Sequence, residues 1–214
     1  MKYKAIIFDL DGTLLDTLTD LAEGTNYALR VNGFPERTPD EIRRFVGNGA
    51  RKLIERAVPE GQAEAALELV RQSFDVYYKV HCKDHTGPYS GIMEMLKELA
   101  QRGYALGVVS NKPDFAVQEL IPEYFPGMFA SVSGEREGIA KKPAPDLIWE
   151  AMKNLQVNSS EAIYVGDSEV DLEAAANAGI PCISVAWGFK GRRFLEERGA
   201  GVIIDTPLEF FNYV

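Results

Sequence analysis

The tightest constraint on this chain lies near its N-terminus. Ala5-Ile6-Ile7-Phe8 is an uninterrupted apolar run that stops at Asp9-Leu10-Asp11-Gly12-Thr13, an acidic turn containing glycine. A run this short with no polar alternation reads as a strand buried on both faces and ended by its turn residues. It delivers Asp9 and Asp11 at its C-terminal tip. The rest of the fold must therefore cover both sides of that strand and leave its end open.

The next seventy residues contain no convincing strand. Leu18, Leu21, Ala22, Ala28 and Leu29 fall at helical spacing over Leu18–Val31, with Gly33 as the stop. Thr38-Pro39-Asp40-Glu41 offers an N-cap, a proline at N1 and a glutamate at N3, so a second helix starts there. Helical pattern continues to Lys79, broken near Val46–Ala50 and Pro59–Gly61.

After Gly87-Pro88 the pattern changes to alternation. Gly91–Arg102 reads as a helix closed by Gly103, and Tyr104–Val109 as a strand. Ala130–Ser133, Ala162–Val165, Cys182–Val185 and Val202–Ile204 are further β-rich runs. Helical segments lie between them at Phe115–Leu120, Asp146–Leu155 and Asp171–Ala178. Such alternation predicts an α/β fold, a Rossmann-like parallel sheet with helices on both faces. The expected organisation is a core of residues 1–15 and 88–214, with 16–87 as an inserted helical domain. Ligands in such sheets bind beyond the C-terminal strand ends.

Polar groups of chemical interest sit at four of those ends: Asp9 and Asp11, Ser110-Asn111, Lys142, and Asp167 with Asp171. Four carboxylates gathered at one rim raise one another's pKa, which suggests a bound cation. Ligands that are all oxygen favour Mg2+, a metal completed by waters and substrate phosphate oxygens. Lys142 then faces a phosphate or an ionised nucleophile. A carboxylate can take a phosphoryl group, and a second one two residues on can protonate the leaving oxygen. Ser110 and the Asn111 backbone NH are placed to hold phosphate oxygens.

These residues carry a resemblance. Phe8-Asp9-Leu10-Asp11-Gly12-Thr13-Leu14 is similar to the DxDGT motif of the haloacid dehalogenase superfamily. Val108–Asn111, Lys142–Pro145 and Gly166–Asp171 resemble its second, third and fourth motifs, in order. The resemblance implies that Asp9 is the nucleophile, Asp11 the general acid/base and Lys142 the charge balancer. It places Gly12, Thr13, Ser110 and Asn111 against the substrate. Asp167 would bind Mg2+ with the Asp9 carboxylate and the Asp11 carbonyl, while Asp171 would orient Lys142 or a metal-bound water. Asp11 separates phosphatases and mutases from dehalogenases, which lack that second carboxylate. In the family the insertion is a mobile cap that shields the acyl phosphate and selects the substrate.

Within the superfamily the chain looks most like phosphoglycolate phosphatases, from Val46-Gly47-Asn48-Gly49-Ala50, Gly87–Gly91 and Ser110-Asn111-Lys112-Pro113. On this reading NH groups of the Gly47-Asn48-Gly49 turn meet a substrate carboxylate and Arg51 pairs with it. The expected activity is Mg2+-dependent hydrolysis of a small phosphate monoester through an aspartyl phosphate. Pyrophosphate or nucleotide hydrolysis and sugar phosphomutation share the scaffold. A protein that binds phosphate without turnover is disfavoured, because every catalytic position is intact. A GxGxxG nucleotide loop fails at Lys52.

A small phosphorylated metabolite is thus the expected partner. With 23 Lys and Arg against 32 Asp and Glu, the net charge of -9 disfavours nucleic acid and anionic lipid. No apolar run approaches the roughly 20 residues of a membrane span, and the first sixteen residues lack a signal-peptide core, so the cytoplasm is the expected location. Cys82 and Cys182 read as free thiols. His81 and His85, four apart, would share a metal only on one helix face, and read instead as surface residues. A homo-oligomer is compatible with all of this, and no residue specifies one.

Overall fold

A strand without a polar side chain needs neighbours on both edges and cover on both faces. In the computed structural model, which describes residues 3–214, β1 (Ala5–Phe8) has them, and its four side chains are completely buried. Met1 and Lys2, assigned above to the core, lie outside the described residues.

The chain then runs through β2 (Leu15–Asp16) into four helices, α1 (Leu18–Val31), α2 (Pro39–Phe45), α3 (Gly49–Ala57) and α4 (Glu64–His81). It returns through β3 (Gly87–Pro88) to α5 (Ile92–Gln101), β4 (Ala105–Pro113), α6 (Asp114–Tyr124), β5 (Ser131–Glu135) and α7 (Asp146–Asn154). The last elements are β6 (Ala162–Gly166), α8 (Glu169–Ala178), β7 (Cys182–Val185), α9 (Gly191–Glu197), β8 (Ile203–Ile204) and a 3-10 helix, Pro207–Asn212. Among the described residues the main sheet has six strands in the order β5-β4-β1-β6-β7-β8, every neighbouring pair parallel. This is the α/β architecture that the alternation predicts. No helix among the described residues is long and apolar enough to cross a membrane.

Alternation along β1 divides the core. Ile6 and Phe8 belong to one apolar cluster with Leu96, Phe125 and Phe210, while Ala5 and Ile7 join Leu147, Ile148, Ala151 and Ala174 on the opposite face. Because β4 and β6 flank β1 on its two edges, the strand order reverses at β1. The crevice beyond its C-terminal end is the topological switch point.

The helical insertion is organised by its own signals. Thr38 accepts from the Glu41 backbone NH while Glu41 reaches back to the Thr38 NH, the reciprocal cap expected at the start of α2. Gly24 lets α1 approach Phe74 and Tyr78 of α4, since a Cβ there would sit 3.2 Å from the Phe74 ring. The two chain crossings between insertion and sheet are tied together by an antiparallel ribbon, Leu15 opposite Pro88 and Asp16 opposite Gly87. Asp20, 2% exposed, strengthens that tie by accepting from the His85 NH (2.9 Å), the Thr86 NH (2.9 Å) and the Thr86 hydroxyl (2.6 Å).

The structure corrects the expected end of β4. The strand does not stop at Val109 but continues to Pro113, with a register shift before Pro113 pairs with Glu135. Ser110, Asn111 and Lys112 therefore lie within a bulged strand, and the backbone passes so close to Gly134 that a Cβ there would collide with the Lys112 carbonyl. The ribbon, α9 and the 3-10 helix are elements that apolar periodicity does not signal, being too short to complete a pattern.

Removing the Asp20 carboxylate strands the buried Thr86 NH and hydroxyl and the partly buried His85 NH. Asp20→Ala is expected to cost about 3 kcal/mol in urea unfolding, since hydrogen bonds to charged groups contribute about 1.5–3 kcal/mol each and orphaned donors add their desolvation penalty.

Candidate active site

β1, β4, β6 and the turn before α7 end at one place. Asp9 follows β1, and its backbone NH extends the pairing to the Val165 carbonyl at 2.8 Å. Lys142 arrives on the opposite wall, 2% exposed, with its ammonium 2.8 Å from Asp9 Oδ1 and 2.7 Å from Asp171 Oδ1. It also donates to the Tyr164 hydroxyl at 2.8 Å, which donates to the Val109 carbonyl at 3.1 Å. Lys141 instead pairs with Glu135 at 2.7 Å and is partly exposed, so Lys142 is the internal cation.

Asn111 braces Lys142 from β4. Its Oδ1 accepts from the Lys142 NH at 2.9 Å, and its Nδ2 donates to the Lys142 carbonyl (2.9 Å) and the Gly47 carbonyl (3.2 Å). The Asn111 side chain is thus a strut between core and insertion, leaving its backbone as the group available to a phosphate. Ser110 Oγ accepts from the Lys112 NH at 3.2 Å and lines the same cavity. Thr13 Oγ1 is buried without a protein partner among the described residues, but Thr13 does not line the cavity.

Asp167 follows β6, accepts from the Phe189 NH at 2.7 Å and is 2% exposed. A Cβ on Gly12 or Gly188 would strike its side chain, and Gly12 stands at φ 84°, so both positions need glycine for this close approach. Carboxylate oxygens of Asp9, Asp167 and Asp171 lie within 4.8 Å of one another, all buried. Asp171 is already engaged, Oδ1 by Lys142 and Oδ2 by the Ser168 NH and hydroxyl, which leaves Asp9 and Asp167 as the carboxylates able to ligate. Three buried carboxylates against one ammonium leave two negative charges, the charge that one divalent cation matches. The donor set, all oxygen, fits Mg2+.

Asp11 is not part of that trio. Its Oδ1 accepts from Lys112 Nζ at 2.9 Å and from the Thr17 hydroxyl at 2.8 Å. The expected crowding of four carboxylates is therefore three, with the fourth turned toward the insertion. Lys112, buried in β4, also donates to the Tyr78 hydroxyl of α4 at 2.6 Å. Lys112, Tyr78 and Tyr164 are site residues that motif reading misses. The lysine follows the second motif directly, but nothing local marks it as buried.

The insertion residues divide. Gly47, Gly49 and Ala50 line the cavity with Leu21, Val46 and Leu53. Asn48 does not, its Oδ1 accepting from Arg56 at 2.7 Å on the outer surface. Arg51 is also misplaced by the sequence reading. It pairs with Glu55 (3.1 Å) and Glu64 (2.6 Å) and faces surface depressions outside the central cavity. The cause is helical phase: Gly49 and Ala50 open α3 toward the cavity, and the next residue rotates away. The histidines share no site either, because α4 ends at His81. His81 pairs with Asp84 at 2.7 Å, and His85 lies 3.5 Å from Glu23. Both cysteines are free thiols, as their spacing suggests.

Burial pushes the Asp9 carboxyl up to about 7, with Lys142 opposing and Asp171 adding to the rise. Burial holds Asp167 well above the usual carboxylate range, and the neighbouring Asp171 and Asp9 add to it. For Lys142, burial favours loss of the proton, but Asp171 and Asp9 outweigh it and hold the ammonium above its ordinary value. A carboxyl raised in the folded state binds its proton more tightly there than in the unfolded chain. Its contribution to stability is present at low pH and disappears as pH rises through the folded value. Metal-free protein is expected to lose stability from the raised Asp9 and Asp167 carboxyls as pH rises from about 4 toward 7. Asp9→Asn should flatten that slope in calorimetric scans, and a melting temperature of the parent protein that climbs steadily over this range would contradict it.

Comparison with known proteins places residues 6–185 in a match to the haloacid dehalogenase-like hydrolase family. A phosphoglycolate phosphatase of Vibrio vulnificus (strain CMCP6) is 37% identical over 220 residues, covering 100% of this chain and 96% of its own. One of Pseudomonas savastanoi pv. phaseolicola is 33% identical over 94% of this chain and 76% of its own. A crystal structure from Lactobacillus delbrueckii subsp. bulgaricus, provisionally named phosphoglycolate phosphatase, superposes with a TM-score of 0.93. It is 40% identical and covers 98% of this chain and 97% of its own.

Proposed function

The chain belongs to the haloacid dehalogenase-like hydrolases and is a phosphomonoester hydrolase of that family, and we propose that it hydrolyses phosphoglycolate through an aspartyl phosphate on Asp9. The observation that carries this reading is the buried trio of Asp9, Asp167 and Asp171 around Lys142, opening on a cavity of about 40 Å³. Asp9 and Asp167, with the Asp11 carbonyl, would hold Mg2+, and Asp171 positions Lys142. When bound, the ion supplies positive charge to the phosphoryl oxygens and keeps Asp9 ionised.

The chain's own groups perform the rest. An Asp9 carboxylate oxygen attacks phosphorus as the ester bond breaks, forming the acyl phosphate. Lys142, the Ser110 hydroxyl and the Asn111 backbone NH take up charge on the phosphoryl oxygens. Asp11 gives a proton to the departing oxygen, then removes one from the water that cleaves the acyl phosphate. Both bonds held by Asp11 fall on Oδ1, so Oδ2 has no protein partner among the described residues. Helices α1–α4, residues 16–87, act as a cap over the core of 1–15 and 88–214, with Leu21, Val46, Leu53 and Phe74 excluding water from the acyl phosphate.

Asp9→Asn is expected to lower phosphate release from phosphoglycolate by at least about 10⁴-fold with an unchanged circular dichroism spectrum. Chelator should abolish turnover by the parent enzyme and added Mg2+ restore it. Ranking kcat/KM over phosphoglycolate, pyrophosphate, nucleoside monophosphates and a hexose phosphate tests the substrate assignment, and a higher value for any of the latter replaces it. Arg51→Ala is expected to change kcat/KM for phosphoglycolate by less than about 2-fold, because surface ion pairs of this kind contribute little.

A further inference from the structure

Phosphoglycolate carries a second anionic group, and few cations are free to meet it. Arg51 is engaged by two glutamates outside the cavity. Lys142 is shared by two carboxylates. Lys190, although it lines the cavity, donates to the carbonyls of Arg44 and Val46 at 3.2 Å and 3.1 Å. The walls supplied by Leu21, Val46, Leu53 and Phe74 are apolar.

Lys112 stands on the carboxylate that serves the leaving oxygen. Lys112 is one of the residues lining the cavity, its side chain is 1% exposed, and its ammonium has one carboxylate partner, Asp11, at 2.9 Å. Its second bond goes to a neutral group, the Tyr78 hydroxyl at 2.6 Å, and it stands 4.7 Å from the centre of that ring. An ammonium has three donors, so these two bonds leave a third. Tyr78 comes from α4 and Lys112 from β4, so the charge is fixed from both sides of the cavity.

Its distance from the reacting oxygen bounds where the second anionic group of a substrate can sit. The ester oxygen must come within hydrogen-bond reach of Asp11, about 2.7 Å. The ammonium bonds Oδ1, and with the open Oδ2 about 2.2 Å away it stands no more than about 8 Å from that ester oxygen. In a phosphorylated 2-hydroxy acid, standard bond lengths put a carboxylate oxygen about 3 Å from the ester oxygen, and a substrate held with that carboxylate on the Lys112 side of Asp11 brings it to about 3 Å from the ammonium, the length of a charge-assisted hydrogen bond. We infer that Lys112, steadied by Tyr78, is the specificity residue that receives a carboxylate one carbon removed from the phosphate ester oxygen. This rests on the phosphatase reading above and names the group that selects within it.

The test compares kcat/KM for phosphoglycolate, 3-phosphooxypropanoate and ethyl phosphate, which carry the carboxylate one carbon away, two carbons away and nowhere. The parent enzyme is expected to rank them in that order. Lys112→Met should lower the ratio of phosphoglycolate to ethyl phosphate by at least about 30-fold, mainly through KM, whatever loss both esters share through the disturbed Asp11. Tyr78→Phe keeps the ammonium and removes its tether, and should lower the same ratio by about 3- to 10-fold, which decides the matter if Lys112→Met fails to fold. Equal losses on both esters in the folded variants would overturn the inference and confine Lys112 to supporting Asp11. A parent enzyme that hydrolyses all three esters without preference also overturns it while leaving the phosphatase reading intact. A parent enzyme that hydrolyses none removes that reading itself.

Discussion

One ammonium holds the site together. Lys142 sits where β1, β4 and β6 end, and its contacts reach Asp9 after the first strand, Val109 of the second through Tyr164, and Asp171 in the helix after the third. A buried cation without partners is heavily destabilising, so the strand ends must stay in register to keep its acceptors in place. The same cation keeps Asp9 from being an isolated buried charge. Asn111 pins the Lys142 backbone on both its NH and its carbonyl, which fixes where the side chain starts as well as where it ends.

Around that centre the charges are unequal by design of the fold. Asp171 is saturated by Lys142 and the Ser168 cap, whereas Asp167 has one backbone donor and Asp9 has the ammonium. The unsaturated pair faces the cavity, and it is their excess charge that a divalent cation relieves. Glycines at 12 and 188 make this arrangement possible by admitting Asp167 where any side chain would collide. Rigidity near the metal ligands thus comes from backbone contact as much as from charge.

Coupling between sheet and insertion runs through polar contacts as well as through an apolar cluster that includes residues of both. Asn111 bonds the Gly47 carbonyl, Lys112 bonds Tyr78, and Lys190 bonds two carbonyls at the end of α2. Each originates next to a motif residue: two in β4 beside Ser110, and one in the loop that supports Asp167. Movement of the helices relative to the sheet would therefore be felt at Asp11 and Asp167, with the ribbon of β2 and β3 and the Asp20 contacts as the pivot.

The strand at Ala5–Phe8, the helices at Leu18–Val31 and Pro39–Phe45, and the four motif segments were legible in the residues, because each depends on local pattern: apolar continuity, helical spacing, a capping box, a carboxylate at a strand end. What the chain order alone could not decide was which charges find each other. Arg51 lies two residues from a cavity-lining glycine yet turns outward, since a helix rotates about 100° per residue. Lys112 lies beside a motif and turns inward, because a bulge carries β4 past Val109 and aims that side chain at Asp11 and Tyr78. Sequence determined the kinds of groups present and the strand ends that present them. Only tertiary packing decided which cations are neutralised within the protein and which remain for a ligand, since pairing depends on distances of about 3 Å that no spacing along the chain encodes.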